Sequence, residues 1–152
     1  MKIETAKKIR AAGMFLFLLY LILLTYFLFF AESYGRVSAQ REYRYNLTLF
    51  KEIQRFWIYR RELGWFSFYN ILGNVVAFVP FGTILPVIWK KTRGFFRILF
   101  LTFGFSLTVE TVQLISKVGI FDVDDLLLNT LGGIIGYIVF AVCNHVRRKV
   151  YG

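Results

Sequence analysis

Glu110, Gln113, Asn74 and Asn129 stand inside long apolar stretches, and Asp122, Asp124 and Asp125 stand at the entrance to the last of them. These residue types could do three kinds of chemistry. A shielded carboxylate can act as a general base, paired amides can hold a polar ligand, and clustered acidic oxygens can hold a hard cation such as Mg²⁺ or Ca²⁺. An ionisable side chain among lipid tails is costly, so it turns to the bundle interior, finds a partner and marks a functional site. That locates a site without naming a substrate.

Spacing groups these residues. Thr102, Ser106, Glu110 and Gln113 step by four, four and three, which is one helical stripe. Asn70 and Asn74 step by four. Asp125, Asn129, Gly132 and Gly136 step by four, three and four, so one side of the last helix shows an acid, an amide and two glycines. Gly132 and Gly136 form a small-xxx-small pair for close helix approach, extended by Gly133 and Gly73. The expected result is a polar recess near the outer surface, with Asn74, Glu110, Gln113, Asp122, Asp125 and Asn129 as ligand-binding candidates. Glu110 and Asp125 are the catalytic candidates, and Asp122, Asp124 and Asp125 the cation candidates. Each has an ordinary alternative. Asn74 and Asn129 can bond across helices for ~0.6–2 kcal/mol, Gln113 can be structural, and acids at a helix N-terminus are favoured electrostatically.

The elements that must position them are four apolar spans, at about Ala11–Ala31, Asn70–Trp89, Phe95–Ser116 and Leu126–Cys143. Each has the roughly 20 residues that a ~30 Å hydrocarbon core requires. The first is too long for a signal-peptide core, and Phe29 and Glu32 spoil a cleavage site near Ala31, so it reads as an uncleaved anchor. Pro80 and Pro86 should bend the second span. Between the first two spans, Leu49, Phe50, Ile53, Phe56 and Trp57 recur at helical spacing within Leu47–Tyr59, a short amphipathic helix lying on the outer surface as an anchor or a lid. Trp57, Trp65, Phe66 and Tyr69 fit an outer aromatic belt and Trp89 an inner one. The fold class is therefore all-α, a polytopic membrane protein of one domain spanning residues 1–152.

Lys2, Lys7, Lys8 and Arg10 precede the first span, Lys90, Lys91, Arg93 and Arg97 lie between the second and third, and Arg147, Arg148 and Lys149 follow the fourth. All face one side if both termini are cytoplasmic, which is what the positive-inside rule expects. The seven basic residues of the first outer loop vote the other way, while Glu32, Glu42, Glu52 and Glu62 share that loop. With this orientation Glu110 lies six residues, or ~9 Å, from the outer end of its span.

Composition narrows the chemistry. Hydrophobic residues make up 57% of the 152 and charged residues 18%, with 18 Phe. A single cysteine, Cys143, leaves no intrachain disulfide, and one Cys with one His excludes the usual zinc sites. The net charge of +10 reads as a basic membrane surface; no basic stripe with interleaved aromatics stands outside the spans, so no nucleic-acid partner is expected. His145 stands at the opposite face from every aspartate, which excludes a Ser/His/Asp triad.

Three ordered segments resemble the VanZ-like family of bacterial integral membrane proteins. Asn70–Gly82 is similar to its N-x-x-x-F-x-P-x-G segment through Asn74, Phe78, Pro80 and Gly82. Ser106–Gln113 resembles S-x-x-x-E-x-x-Q through Ser106, Glu110 and Gln113. Phe121–Gly136 resembles F-D-[IV]-D-D-x-x-x-N-x-x-G through Asp122, Asp124, Asp125, Asn129 and Gly132. Asn46–Phe50 resembles an N-L-x-P-F stretch with Leu49 in place of the proline. Many members carry a basic residue before the F-D pair, where this chain has Gly119 and Ile120, leaving Lys117 as a substitute partner for the acids. The resemblance covers about residues 46–142, with the first span as an addition. It implies a multi-pass protein of the bacterial cytoplasmic membrane, in a family named for a protein that lowers susceptibility to the glycopeptide teicoplanin.

Two functions follow as expectations. One is a non-enzymatic envelope protein that binds a lipid-linked cell-wall precursor or an acylated lipoglycopeptide in the outer recess, among the surrounding membrane lipids. The other is an enzyme acting on a lipid head group, with Glu110 as base and Mg²⁺ on the aspartates. Four spans and no internal repeat argue against a lone transporter.

Overall fold

The computed structural model describes residues 3–30, 43–59 and 66–151. Four helices are long and apolar enough to cross a membrane: α1 (Ile3–Phe30), α3 (Phe66–Ile88), α4 (Phe95–Ser116) and α5 (Val123–Tyr151). A fifth, α2 (Lys51–Tyr59), lies between α1 and α3 in sequence. The chain is an all-α polytopic membrane protein. Phe15, Leu18, Ile22, Phe96, Phe100 and Ile115 are exposed on the bundle, where lipid would cover them.

The third span matches its expected bounds. The others start earlier or run further, because polar residues can continue a helix beyond the hydrocarbon. α5 has 29 residues and a length of ~44 Å, so the Arg147–Lys149 segment is helical. Ala31, the acids Glu32, Glu42 and Glu62, and Trp65 lie outside the described residues, as do Lys2, Arg36, Arg41, Arg60 and Arg61 and the side chains of Glu52, Phe56 and Phe66.

Backbone contact between α3 and α5 forms the central seam. A Cβ on Gly132 would overlap the Val75 carbonyl, on Gly136 the Val79 carbonyl, and on Gly82 the Gly133 carbonyl. Apolar burial drives little association when the solvent is lipid, so close van der Waals approach has to hold these helices together. Gly133 also meets Thr102 of α4, but Gly73 faces open space and takes no part in the seam. Thr83 lies across the seam, its hydroxyl 2.9 Å from the Val79 carbonyl and 3.0 Å from that of Gly136. Helix α3 continues through Pro80 and Pro86.

α1 packs against α3. Phe17 joins Phe81, Leu85, Ile88 and Ile98 in one core cluster, while Leu24 and Leu28 join Phe78 and Val109 in a second. Phe105 of α4 stacks on Phe81 with ring centroids 4.9 Å apart. Tyr20 donates its hydroxyl to the Ala77 carbonyl, 2.9 Å, which satisfies its polar tip inside the bundle.

Two short strands pair in parallel, β1 (Tyr45–Asn46) with β2 (Phe121–Asp122), in the register Tyr45↔Phe121 and Asn46↔Asp122. A two-residue ladder has no periodicity, so the sequence gives no sign of it. Helix α2 starts at Lys51 rather than Leu47 because Phe50 adopts a left-handed conformation, φ 62°, which no helix can pass through. Its apolar residues Ile53 and Trp57 are exposed, as an interfacial helix requires.

Candidate functional site

The α4 stripe faces inward along its whole length. Thr102, Ser106, Glu110 and Gln113 are all buried, and Glu110 is 2% exposed. Helix periodicity puts them on one face, and α5 covers that face. Where α4 ends, Lys117 takes a left-handed conformation, φ 56°, and the Val118 and Gly119 amides return to the Gln113 carbonyl. The chain then turns through β2 into α5.

Asp122 is the centre of the cluster. Its backbone N–H donates to Glu110 Oε2 at 3.0 Å. Its Oδ1 accepts from the Asp124 amide at 2.8 Å, a side-chain cap on the first turn of α5. Its Oδ2 accepts from Asn46 Nδ2 at 3.0 Å. Asn46 Oδ1 in turn accepts from the Thr48 amide. Asp124 reaches outward from α5 to accept the Phe50 amide, so its charge sits at the N-terminus of α2. Asp125 accepts a hydrogen bond from Asn74 of α3.

The three aspartates therefore have different neighbours: Asp122 holds β1 and its own helix, Asp124 holds α2 and Asp125 holds α3. Among the described residues no group of three His, Cys, Asp or Glu side chains comes together to hold a metal ion. The structure gives each of the expected cation candidates Asp122, Asp124 and Asp125 its own protein donor rather than bringing the three together. Asp122 precedes α5, while Asp124 and Asp125 stand in its first turn ~100° apart around the helix, and each has found its own donor.

Asn129 and Gln113 each bond a neighbouring helix. Asn129 was expected to share a face with Asp125, Gly132 and Gly136, yet those three meet α3 while Asn129 donates to Ser106 Oγ on α4, 2.9 Å. The offset of four residues from Asp125, ~40° around the helix, is enough to change the neighbour. Asn129 Oδ1 and Thr102 Oγ1 are buried atoms with no hydrogen-bond partner among the described residues. Gln113 donates to the Leu28 carbonyl, 3.2 Å, near the C-terminus of α1, where helix carbonyls lack intrahelical partners. Gly119 packs on the Gln113 side chain so closely that a Cβ there would lie 2.9 Å from it.

Lys117 does not take the part of the missing basic residue. Its ammonium lies over the Tyr43 ring, 4.4 Å from the centroid. His145 is exposed on α5, some 21 residues or ~32 Å along the helix from Asp124. Asn46 is the one participant that spacing gave no reason to place here. Its signal is local, an Asn two residues before a Thr whose amide it accepts, a turn that side-chain amides favour.

A scan against family models matches the VanZ/LLP1 family over residues 17–144, which takes in the second half of α1 as well as the rest of the bundle. Among curated proteins, the chain is 31% identical over 134 residues to Protein VanZ of Enterococcus faecium, covering 86% of this chain and 75% of that one. No solved structure matches. The inward Ser106–Glu110–Gln113 stripe, the Asp122–Asp125 turn and the Gly132 seam are thus found within the matched region, and the chain belongs to the VanZ/LLP1 family of membrane proteins.

Proposed function

We propose that the protein binds an amphipathic or lipid-linked cell-wall molecule at the Glu110–Asp122 end of the bundle, beneath the outer leaflet of the bacterial cytoplasmic membrane, and that it lowers glycopeptide susceptibility by doing so. Both termini are cytoplasmic in this reading. It rests on the Lys/Arg distribution, because the α1 N-terminus, the α3–α4 turn and the α5 C-terminus all contribute cations to one end.

The observation that carries the proposal is the placement of Glu110, a carboxylate 2% exposed within a spanning helix. A group so expensive to keep in a membrane is explained by a task. Around the cluster, Tyr43, Tyr45, Trp57 and Tyr69 present exposed rings suited to an interface and to an acyl chain. Asn74, Asn129, Gln113 and Asp125 supply amide and carboxylate groups for a polar head. The head-group enzyme with Mg²⁺ is the weaker reading, since its aspartates diverge.

Expression in a glycopeptide-susceptible bacterium tests the idea. Wild type should raise the inhibitory concentration of teicoplanin more than that of a glycopeptide lacking an acyl chain. Glu110→Gln, made at wild-type level in the membrane, should abolish the difference. Full protection by that variant would refute a role for the carboxylate.

A further inference from the structure

At the other end of the bundle lies a cavity of 550 Å³ lined by six cations, Lys7, Arg10, Lys90, Arg93, Arg147 and Arg148, with no carboxylate among its lining residues. Three separate segments supply them: the start of α1, the 3-10 turn Lys90–Thr92 with Arg93, and the last turns of α5. We propose that this cavity binds the phosphate diester head group of an anionic membrane phospholipid, whose acyl chain lies along α1.

Charge supports an anion. Glu4 is the only acid in the described segments at this end, and it pairs with Lys8 at 3.1 Å, outside the cavity. Like charges gathered with no acid among the described lining residues repel one another. The Arg93 guanidinium is held below its ordinary value by burial, then by Arg147, Arg148 and Arg10. Two of the guanidinium groups are already fixed in place. Arg93 donates through Nε to the Pro86 carbonyl, 2.8 Å, and lies 5.5 Å over the Phe140 ring. Arg147 donates to Asn144 Oδ1, 2.9 Å. Anchoring them lowers the ordering cost of binding, and the planar guanidinium fork suits phosphate oxygens.

The apolar surroundings point to a lipid rather than to free phosphate. Ile9, Val87 and Phe140 line the same cavity. A shallow, open strip of α1 surface shares Lys7 and Arg10 with it and continues down the helix past Ala11, Met14, Phe15 and Leu18. A head group held by those two cations would leave its chain on that apolar face. Basic pockets between helix ends are a recurrent way of holding anionic head groups.

Cys143 provides a probe within the site, because it lines the cavity, is exposed and is the chain's single cysteine. Full-length protein is placed in nanodiscs of phosphatidylcholine alone or with phosphatidylglycerol, and maleimide labelling of Cys143 is timed. Phosphatidylglycerol should slow labelling, and the triple variant Arg93→Gln/Arg147→Gln/Arg148→Gln should bind it on the order of a hundredfold more weakly. The control triple variant Lys8→Gln/Arg97→Gln/Lys149→Gln removes equal charge outside the cavity and should keep the protection. Equal labelling of wild type in the two lipids overturns the proposal, and needs no variant to fold. Equal loss in the control variant overturns it in favour of diffuse surface attraction. Full protection by soluble glycerol phosphate in phosphatidylcholine discs overturns it in favour of a soluble-anion site.

Discussion

At the α4–α5 turn, negative side chains are surrounded by donors, whereas at the opposite end positive side chains surround a cavity. Asp122 alone accepts from Asn46 and Asp124 while its own amide is taken by Glu110. Arg93 and Arg147 are anchored too, but the described residues that line the cavity they share with Arg10 and Arg148 include no carboxylate. The difference teaches what each sign does in this fold. Carboxylates at one end tie separate pieces of backbone together, and guanidinium groups at the other end are held apart around a space.

The most severe way to break that contrast is to separate the two ends from their common seam. Gly132→Leu places a side chain on the Val75 carbonyl, and no flexible neighbour can yield to it. A loss of about 3 kcal/mol or more is expected, beyond ordinary overpacking because the obstacle is backbone. Thermal unfolding in detergent should show the loss. If the seam couples the ends, both Cys143 labelling and amide exchange at Phe50 should accelerate together.

A smaller change tests the ends separately. Asp122→Ala removes the cap on α5 and the anchor of Asn46, for a cost of about 3 kcal/mol, since hydrogen bonds to charged groups are each worth ~1.5–3 kcal/mol. Arg148→Gln, by contrast, should change stability by about 0.5 kcal/mol or less, with relief of repulsion as the favourable part. Equivalent destabilisation by the two variants would erase the distinction between a tying end and an open end.

A further small effect, of opposite sign to that of Asp122→Ala, concerns Thr102, whose buried hydroxyl has no partner among the described residues. Thr102→Val keeps the shape and removes the orphan, so it should be neutral or stabilising by up to about 1 kcal/mol. A loss greater than that in the same unfolding experiment would show that the hydroxyl holds something.

Much of this was legible in the residues. Apolar length gave the four spans, since the bilayer sets it. The Thr102–Gln113 stripe turned inward as its period required, and Gly132 and Gly136 met a neighbouring backbone as their size allowed. Other features had no signal because they depend on contacts distant in sequence. Gln113 bonds a carbonyl 85 residues away, and nothing local names α1 as its partner. The cavity at the cationic end could be foreseen as a charged surface, but not as a recess, because its walls come from three segments that only packing brings together. The faces of α3 were illegible as well. Apart from Asn70, Asn74 and Thr83 that helix is almost wholly apolar, so periodicity could not say that Val75 and Val79 would meet glycines.

The pairing of Asn46 with Asp122 joins residues 76 positions apart. A ribosome adding roughly 5–20 residues each second needs about 4–15 s to cover that interval. During that time the β1 segment has left the ribosome without its mate. Docking of the loop and of α2 must therefore await synthesis of the α4–α5 turn, so this end of the molecule assembles only after most of the chain has been made.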